Sequence, residues 1–277
     1  MKQRIVIKLG GSALQNPETV LQLAKLVRGY QKRRYQVVIV HGGGPAINAE
    51  LTQRGITWQF INGQRQTTPE MMAVVNHVLA GVVNSQLVVR LQSSGIFAVG
   101  LSAADEKILF CTQAKPELIQ VGKIEAVDTA GIENVLADSM DRVPVIAPIG
   151  IGASEEKYNI NADWAATQIA MALSAKKLIF LTDQVGILDG KKELVKRANP
   201  KSIQKMITDG TISGGMFTKV QAMMMALEAG VKQVRVLHAS HAALALNTEP
   251  VGTILTNIRF LNSAGIVKTG VINERAS

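Results

Sequence analysis

Short runs of apolar, mostly β-branched residues alternate along nearly the whole chain with longer segments whose apolar positions recur at helical spacing. The short runs predict strands at 4–9, 36–40, 96–101, 143–149, 177–182, 233–238 and 252–256. The longer segments predict helices at 17–33, 45–54, 69–94, 129–140, 161–174, 200–209, 215–229 and 240–246. Apolar strands separated by helices suit a parallel sheet covered on both faces, because each crossover lays a helix across one face. The expected fold class is α/β with a largely parallel central sheet. The strand–helix rhythm restarts near residue 175, which divides the chain into segments 1–175 and 176–277.

Punctuation agrees with this pattern. Asn16-Pro17 and Thr68-Pro69 each place a side-chain acceptor at a helix cap and a proline in the first turn. Gly95 and Gly230 are placed to end helices. The segment 69–94 is apolar around much of its circumference, through Met71, Met72, Val74, Val75, Val78, Leu79, Val82, Val83, Leu87 and Val88. Such a helix is buried on more than one side. It is either a central core helix or one that packs on its own sheet and on a partner subunit. Polar alternation at 102–128 predicts a surface hairpin of short antiparallel strands.

At 277 residues with 47% hydrophobic and 18% charged content, the chain has enough apolar material for a sizeable core. The single Cys111 excludes an intramolecular disulfide and is compatible with a reducing compartment. No run approaches the roughly 18–20 apolar residues that a bilayer span needs, and Met1-Lys2-Gln3-Arg4 leads into a strand rather than an apolar leader. A cytoplasmic protein without membrane association is expected. The net charge of +9 is dispersed, densest at Lys32-Arg33-Arg34, Lys176-Lys177 and Lys191-Lys192. With 4% aromatic residues and no aromatic–basic interleaving, a nucleic-acid partner is not expected.

Two glycine turns narrow the chemistry. Each follows an apolar strand: Lys8-Leu9-Gly10-Gly11-Ser12 and His41-Gly42-Gly43-Gly44-Pro45. Glycine lets backbone approach a bound group, and a following helix start offers free N–H donors to an anion. A phosphate-handling site is the natural reading. It is not an ordinary P-loop or Rossmann site, since neither motif occurs, and no nucleophile elbow or zinc-protease helix is present. The four histidines lack metal-ligand spacing, and His41 reads as a packing or hydrogen-bonding residue. Asp163 falls in the first turn of its helix, where it either serves the dipole or orients nearby lysines. Lys219 follows Gly214-Gly215 by one turn and is either solvated or functional. Asp183 ends a strand, where ligands bind in open α/β sheets.

Taken in order, K-L-G-G-S at 8–12, H-G-G-G-P-x-I-N at 41–48, N-G-x-R at 62–65, Y-N-x-N-A-D at 158–163, L-T-D-x-x-G-I-L at 181–188 and G-G-M-x-x-K at 214–219 resemble the amino acid kinase family. The resemblance is to the branch that acts on N-acetyl-L-glutamate. It implies an open αβα sandwich whose N-terminal lobe binds the amino acid and whose C-terminal lobe binds ATP. It implies ATP-dependent phosphorylation of the side-chain carboxylate of N-acetyl-L-glutamate in arginine biosynthesis, with Mg²⁺ held mainly through ATP. By position, Lys8 would contact the transferring phosphoryl group, Lys219 the leaving side, and Asp163 would hold both lysines. Gly10 and Gly11 would bind phosphoryl oxygens; Gly43, Gly44, Arg65 and Asn159 would bind the acid. Thr182, Asp183, Gln184, Val185, Gly186, Ile187 and Leu188, with Thr211, Ile212 and Ser213, would line the nucleotide site.

Two departures from the family pattern stand out. Arg65 is followed by Gln66-Thr67-Thr68 rather than by an apolar residue, Thr and Asp, which touches the substrate lid. Only seven residues precede Lys8, too few for the extra N-terminal helix of arginine-inhibited members. A homodimer built around helix 69–94, weakly or not inhibited by arginine, is therefore expected. The alternatives are a same-fold kinase for another acid, such as carrier-linked aminoadipate, or a regulatory binding protein without catalysis. Retention of Lys8, Asp163 and Lys219 together argues against the last.

Overall fold

All seven apolar runs enter one eight-stranded sheet. The computed structural model describes residues 3–247 and 250–257. Leu261, Ile266, Val267 and Ile272, apolar positions from which the sequence predicts partial docking of the segment 257–277 on the domain, lie outside the described residues. In chain order the first half holds β1 (Gln3–Leu9), α1 (Pro17–Lys32), β2 (Tyr35–His41), α2 (Gly44–Gln53), β3 (Phe60–Ile61) and β4 (Gln64–Arg65). There follow α3 (Pro69–Asn76), a π-helical turn (His77–Val83), α4 (Asn84–Ser93), β5 (Phe97–Ser102), β6 (Leu109–Gln113), β7 (Gly122–Val127) and α5 (Ala130–Asp138). Next come β8 (Arg142–Ala147), β9 (Ile149–Ile151), β10 (Lys157–Asn159), α6 (Ala162–Ala172), β11 (Lys177–Thr182) and β12 (Arg197–Ala198). The chain continues through α7 (Pro200–Thr208), α8 (Gly214–Glu228), β13 (Gln233–His238), a 3₁₀ segment (Ala239–Leu246) and β14 (Thr253–Leu255).

The main sheet runs β12-β14-β13-β11-β1-β2-β8-β5, and its pairs are parallel except β13 with β14. The period-2 alternation of side chains divides each strand between two cores. Val6, Val38, Val40 and Phe180 pack with α6 and α8, whereas Ile5, Ile7, Leu9, Ile39 and Leu181 pack with α1 and α4. These are the three layers of the expected αβα sandwich. Asn16 and Thr68 cap their helices as expected, with Pro17 and Pro69 in the first turns. Gly95 and Gly230 take positive φ at the helix ends.

The segment 69–94 forms one 25-residue helical rod, Pro69–Ser93. Its length and composition alone would let it cross a bilayer, which the sequence reading did not anticipate. Met71, Met72, Val75 and Leu79 instead fill one core cluster and Leu87 and Leu91 another. The π-helical turn in its middle was not foreseen, because a single extra residue per turn leaves no periodic signature.

A second sheet, β10-β9-β6-β7, carries the expected antiparallel hairpin of β6 and β7. The predicted strand 143–149 is split there. Pro148 has no N–H to continue the ladder, and the chain leaves the main sheet to begin β9. The two-residue strands β3 and β4 are joined by Asn62 and Gly63, both at positive φ, a favoured tight hairpin turn.

Phe180 sits at the centre of this arrangement, fully buried on β11 in register with Lys8 and Val236. Phe180→Ala is expected to destabilise the protein by about 3–5 kcal/mol, the cost of a large aromatic-to-alanine cavity. A chemical-denaturation midpoint equal to the parent protein's would contradict this placement.

Candidate active site

Parallel strands all end at the same edge of a sheet, so the turns after β1, β2 and β11 converge. The ladder extends into them: Gly10 N–H donates to Leu181 O and Gly42 N–H to Leu9 O, each at 2.8 Å. A Cβ on Gly11 would stand 2.7 Å from Gly43 N and 2.9 Å from Gly44 N. Only glycine lets the two turns stack this closely. The second turn runs directly into α2, with Pro45 in its first turn, so the Gly43–Gly44 amides lie at a helix N-terminus.

A cavity of about 480 Å³ opens over these turns. Of the residues singled out in the sequence, Lys8, Gly10, Gly11, Gly43, Gly44, Arg65, Asn159, Thr182 and Asp183 line it. Next to Lys8 lies a buried ion cluster. Asp163 Oδ1 is 2.9 Å from Lys8 Nζ, and Asp163 Oδ2 accepts a hydrogen bond from Lys219 Nζ at 2.7 Å. All three side chains are about 11% exposed. The start of α6 is fixed by Asn161, whose side chain accepts from the N–H groups of Asp163 and Trp164. Lys219 also lies 5.7 Å from the centre of the Phe180 ring.

Burial alone would raise the Asp163 pKa, but the two ammonium groups outweigh it and hold the carboxyl down to about 2. Burial lowers the pKa of Lys219, with Asp163 opposing that shift. The cluster thus keeps two cations and one anion in a nearly dry setting.

Arg65 closes another wall. It is 6% exposed, and one guanidinium nitrogen donates to Asn48 Oδ1. Its guanidinium carbon lies 4.8 Å from the Phe60 ring centre and 5.6 Å from that of Trp58. Nη1 is buried and meets no hydrogen-bond partner among the described residues. A buried, half-partnered guanidinium is built to receive a carboxylate. Asn159 Nδ2 donates to Thr67 Oγ1 at 3.1 Å, and that hydroxyl donates to Arg65 O at 2.8 Å. Thr67, which keeps the family's threonine between the two departing residues Gln66 and Thr68, therefore ties the Arg65 strand to the second sheet. Its role left no separate signal in the sequence. Phe60 and Asn48 also line the cavity, and the Asn62-Gly63 turn that presents Phe60 was the available cue.

The remaining nucleotide-side positions do not line this cavity. Gln184, Val185 and Leu188 are exposed, and Gly186 takes a φ of +152°. Ile187 and Ile212 bury their side chains in the core, and the Ile187 N–H donates to Thr253 Oγ1 at 2.8 Å. Thr211 and Ser213 lie just before α8. Among the described residues, no group of three or more His, Cys, Asp or Glu is placed to hold a metal.

Asp163→Asn leaves two buried ammonium groups without a counter-charge and is expected to cost about 3–5 kcal/mol. The folded pKa of Asp163, about 2, lies below the ordinary 3.8. Its contribution is therefore full above about pH 4 and fades as pH falls towards 2. Stability curves between pH 5 and 2 should fall less steeply for Asp163→Asn than for the parent protein. Equal slopes would count against the ion cluster.

These features can be set beside known proteins. Residues 3–238 match the model of the amino acid kinase family. An acetylglutamate kinase of Bacillus cytotoxicus is 42% identical over 265 residues, covering 94% of this chain and 98% of that protein. One from Ruegeria pomeroyi is 40% identical over 233 residues, 84% of this chain and 80% of that protein. Among solved structures, smu.665 from Streptococcus mutans superposes with a TM-score of 0.80 at 30% identity, covering 93% and 100% of the two chains. The α/β fold with its mostly parallel sheet agrees with these matches, and the chain belongs to the amino acid kinase family.

Proposed function

We infer that the protein is an acetylglutamate kinase, which transfers the γ-phosphoryl group of ATP to the side-chain carboxylate of N-acetyl-L-glutamate. The products are an acyl phosphate and ADP, and the step belongs to arginine biosynthesis. The observation that carries this reading is the buried Lys8–Asp163–Lys219 cluster beside a cavity whose wall holds the half-partnered Arg65 guanidinium. The acetylglutamate kinases at 40–42% identity support the choice of acid.

The chemistry follows from charge. A carboxylate is ionised at neutral pH and needs no general base. Its oxygen attacks the γ-phosphorus, the bond to the bridging β–γ oxygen breaks, and ADP leaves with that electron pair; no proton has to move. The barrier lies in bringing an anion against a polyanion, so positioning and neutralisation supply most of the rate. Lys8 reaches the cavity directly and would face the transferring group, with Lys219 towards the leaving oxygen. Asp163, held at about pKa 2, cannot act as a base near neutrality and instead orients both lysines. Gly11 would donate to phosphoryl oxygens, whereas the expected donor role of Gly10 does not hold, because its one N–H is already given to Leu181 O and it serves only by leaving the turn open. Arg65, Asn159 and the Gly43–Gly44 amides would hold the acid.

Residues 1–175 would form the acid-binding lobe and 176–277 the nucleotide lobe. Because Ile187 and Ile212 point into the core, the segments 182–188 and 211–213 would meet ATP through exposed side chains and backbone. Mg²⁺ would be held chiefly by nucleotide oxygens and water, screening their charge; Asp183 is the carboxylate on the cavity wall nearest to that role. A second copy of the chain would cover the face where Val82, Val89 and Phe97 are 37%, 59% and 69% exposed. The buried lone Cys111 suits a cytoplasmic enzyme.

A coupled assay of ADP release with N-acetyl-L-glutamate, glutamate, aspartate and aminoadipate tests the substrate, with the first strongly preferred. Lys8→Ala should lower kcat by about 10²–10³, whereas Arg65→Gln should act mainly by raising the KM for the acid. Unchanged turnover in Lys8→Ala would sink the mechanism. Val89→Glu combined with Phe97→Glu should convert a dimer to monomer in sedimentation; a monomeric parent protein would overturn the dimer.

A further inference from the structure

His41 is fully buried at the end of β2, immediately before the three glycines, and the mechanism above makes no use of it. Its Nδ1 lies 2.9 Å from Gly42 O, and its Nε2 lies 3.1 Å from Asn84 Nδ2. Asn84 opens α4, directly after the π-helical turn, and the same carboxamide nitrogen donates to Val145 O at 2.9 Å. A carboxamide nitrogen has two protons and accepts nothing. One proton goes to Val145 O, so the other faces Nε2, which must then be the bare, accepting nitrogen. The imidazole is neutral, and its one proton sits on Nδ1, donated to Gly42 O. Gly100 on β5 leaves room for this arrangement, since a Cβ there would overlap Asn84 Oδ1. Burial lowers the His41 pKa to about 4, which agrees with a neutral ring.

The consequence concerns one peptide group. In a trans peptide the C=O and N–H point in opposite directions. With Gly42 O drawn inward to His41, the Gly43 N–H turns the other way, on a residue that lines the cavity. Among the described residues it meets no acceptor. A peptide between two glycines rotates with little steric resistance. If it flipped, a carbonyl oxygen would occupy the place of a donor and repel an anionic acceptor.

We propose that His41 and Asn84 are positioning residues for phosphoryl transfer, a pair that fixes the Gly42–Gly43 peptide with its N–H towards the reacting groups. Asn84 selects the tautomer, His41 holds the carbonyl, and Gly43 presents the donor. The proposal rests on the kinase reading for its effect on rate, but not for the tautomer itself.

Two experiments test it. In ¹⁵N NMR of histidine-labelled protein at pH 7, single replacements of His77, His238 and His241 by Gln assign those signals and leave that of His41. The expected ring is neutral with its proton on Nδ1; a proton on Nε2, or on both nitrogens, overturns the proposal. This result needs no variant at His41 or Asn84 to fold. The second experiment compares His41→Asn with His41→Gln. Asn can place an amide donor near the Nδ1 position, whereas Gln places its amide near Nε2 and leaves Gly42 O unserved. His41→Gln should lose at least about tenfold in kcat with the KM for ATP within about twofold, and His41→Asn should recover to within about threefold of the parent. Equal activity in both folded variants, whether high or low, overturns it. Absence of acetylglutamate-dependent ADP release in the parent protein would refute the kinase reading while leaving the tautomer result intact.

Discussion

One carboxylate between two ammonium groups holds this molecule's working end together. Lys8 comes from the central strand β1, Asp163 from the first turn of α6 and Lys219 from α8, so their contact ties the sheet to both helices on one face. Two lysines could not be buried to this degree alone, because each would shed its proton or stay in water. Asp163 lets both remain charged, and Asn161 fixes Asp163 by capping its helix. The result is a surplus of one positive charge beside a cavity floored by free amides. That is an electrostatic environment suited to a passing anion rather than to a stored one.

Parallel topology then decides what the cluster can meet. Because β1, β2 and β11 end at the same edge, the glycine turns and Asp183 are neighbours without any long loop to carry them. The turns are stacked so closely that Gly11 has no room for a side chain. Short, tightly held turns restrict motion, and a reaction that needs no general base gains most from such restriction. His41 and Asn84 extend the same logic one layer deeper, from placing residues to orienting a single peptide.

The main sheet was legible because its strands are apolar on both faces, a pattern that few other structures require. The helices were legible through their caps, Asn16 and Thr68, and through Gly95 and Gly230. β3, β4 and β10 were not, since strands of two or three residues carry no periodicity; Asn62-Gly63 was the surviving local trace. Within the site, the cluster residues and the role of Asp163 in holding both lysines came from the resemblance, whereas the depth of their burial did not. Nothing in spacing alone tells that the Lys219 side chain turns inward to Asp163 rather than out to solvent. Likewise Ile187 and Ile212 read as part of a nucleotide-side motif while their side chains belong to the core. Asn84 was overlooked for the opposite reason. A lone asparagine within an apolar helix carries no motif, and its two hydrogen bonds are visible only once β2 and β8 lie against it.

The long helix gains a particular meaning from this. Leu79 and Asn84 face the glycine turn and its histidine, whereas Val82 and Val89 on the same rod are exposed. The π-helical turn lies between Asn76 and Asn84 and shifts the angular register of the residues after it relative to a regular helix. In a uniform α-helix, the register that buries Met71, Val75 and Leu79 would not be the one that brings Asn84 under His41. The irregularity is thus the means by which one rod serves two cores. Its outer face then offers apolar residues that neither core can use, so the segment's apolar circumference, ambiguous in sequence, reflects both demands at once.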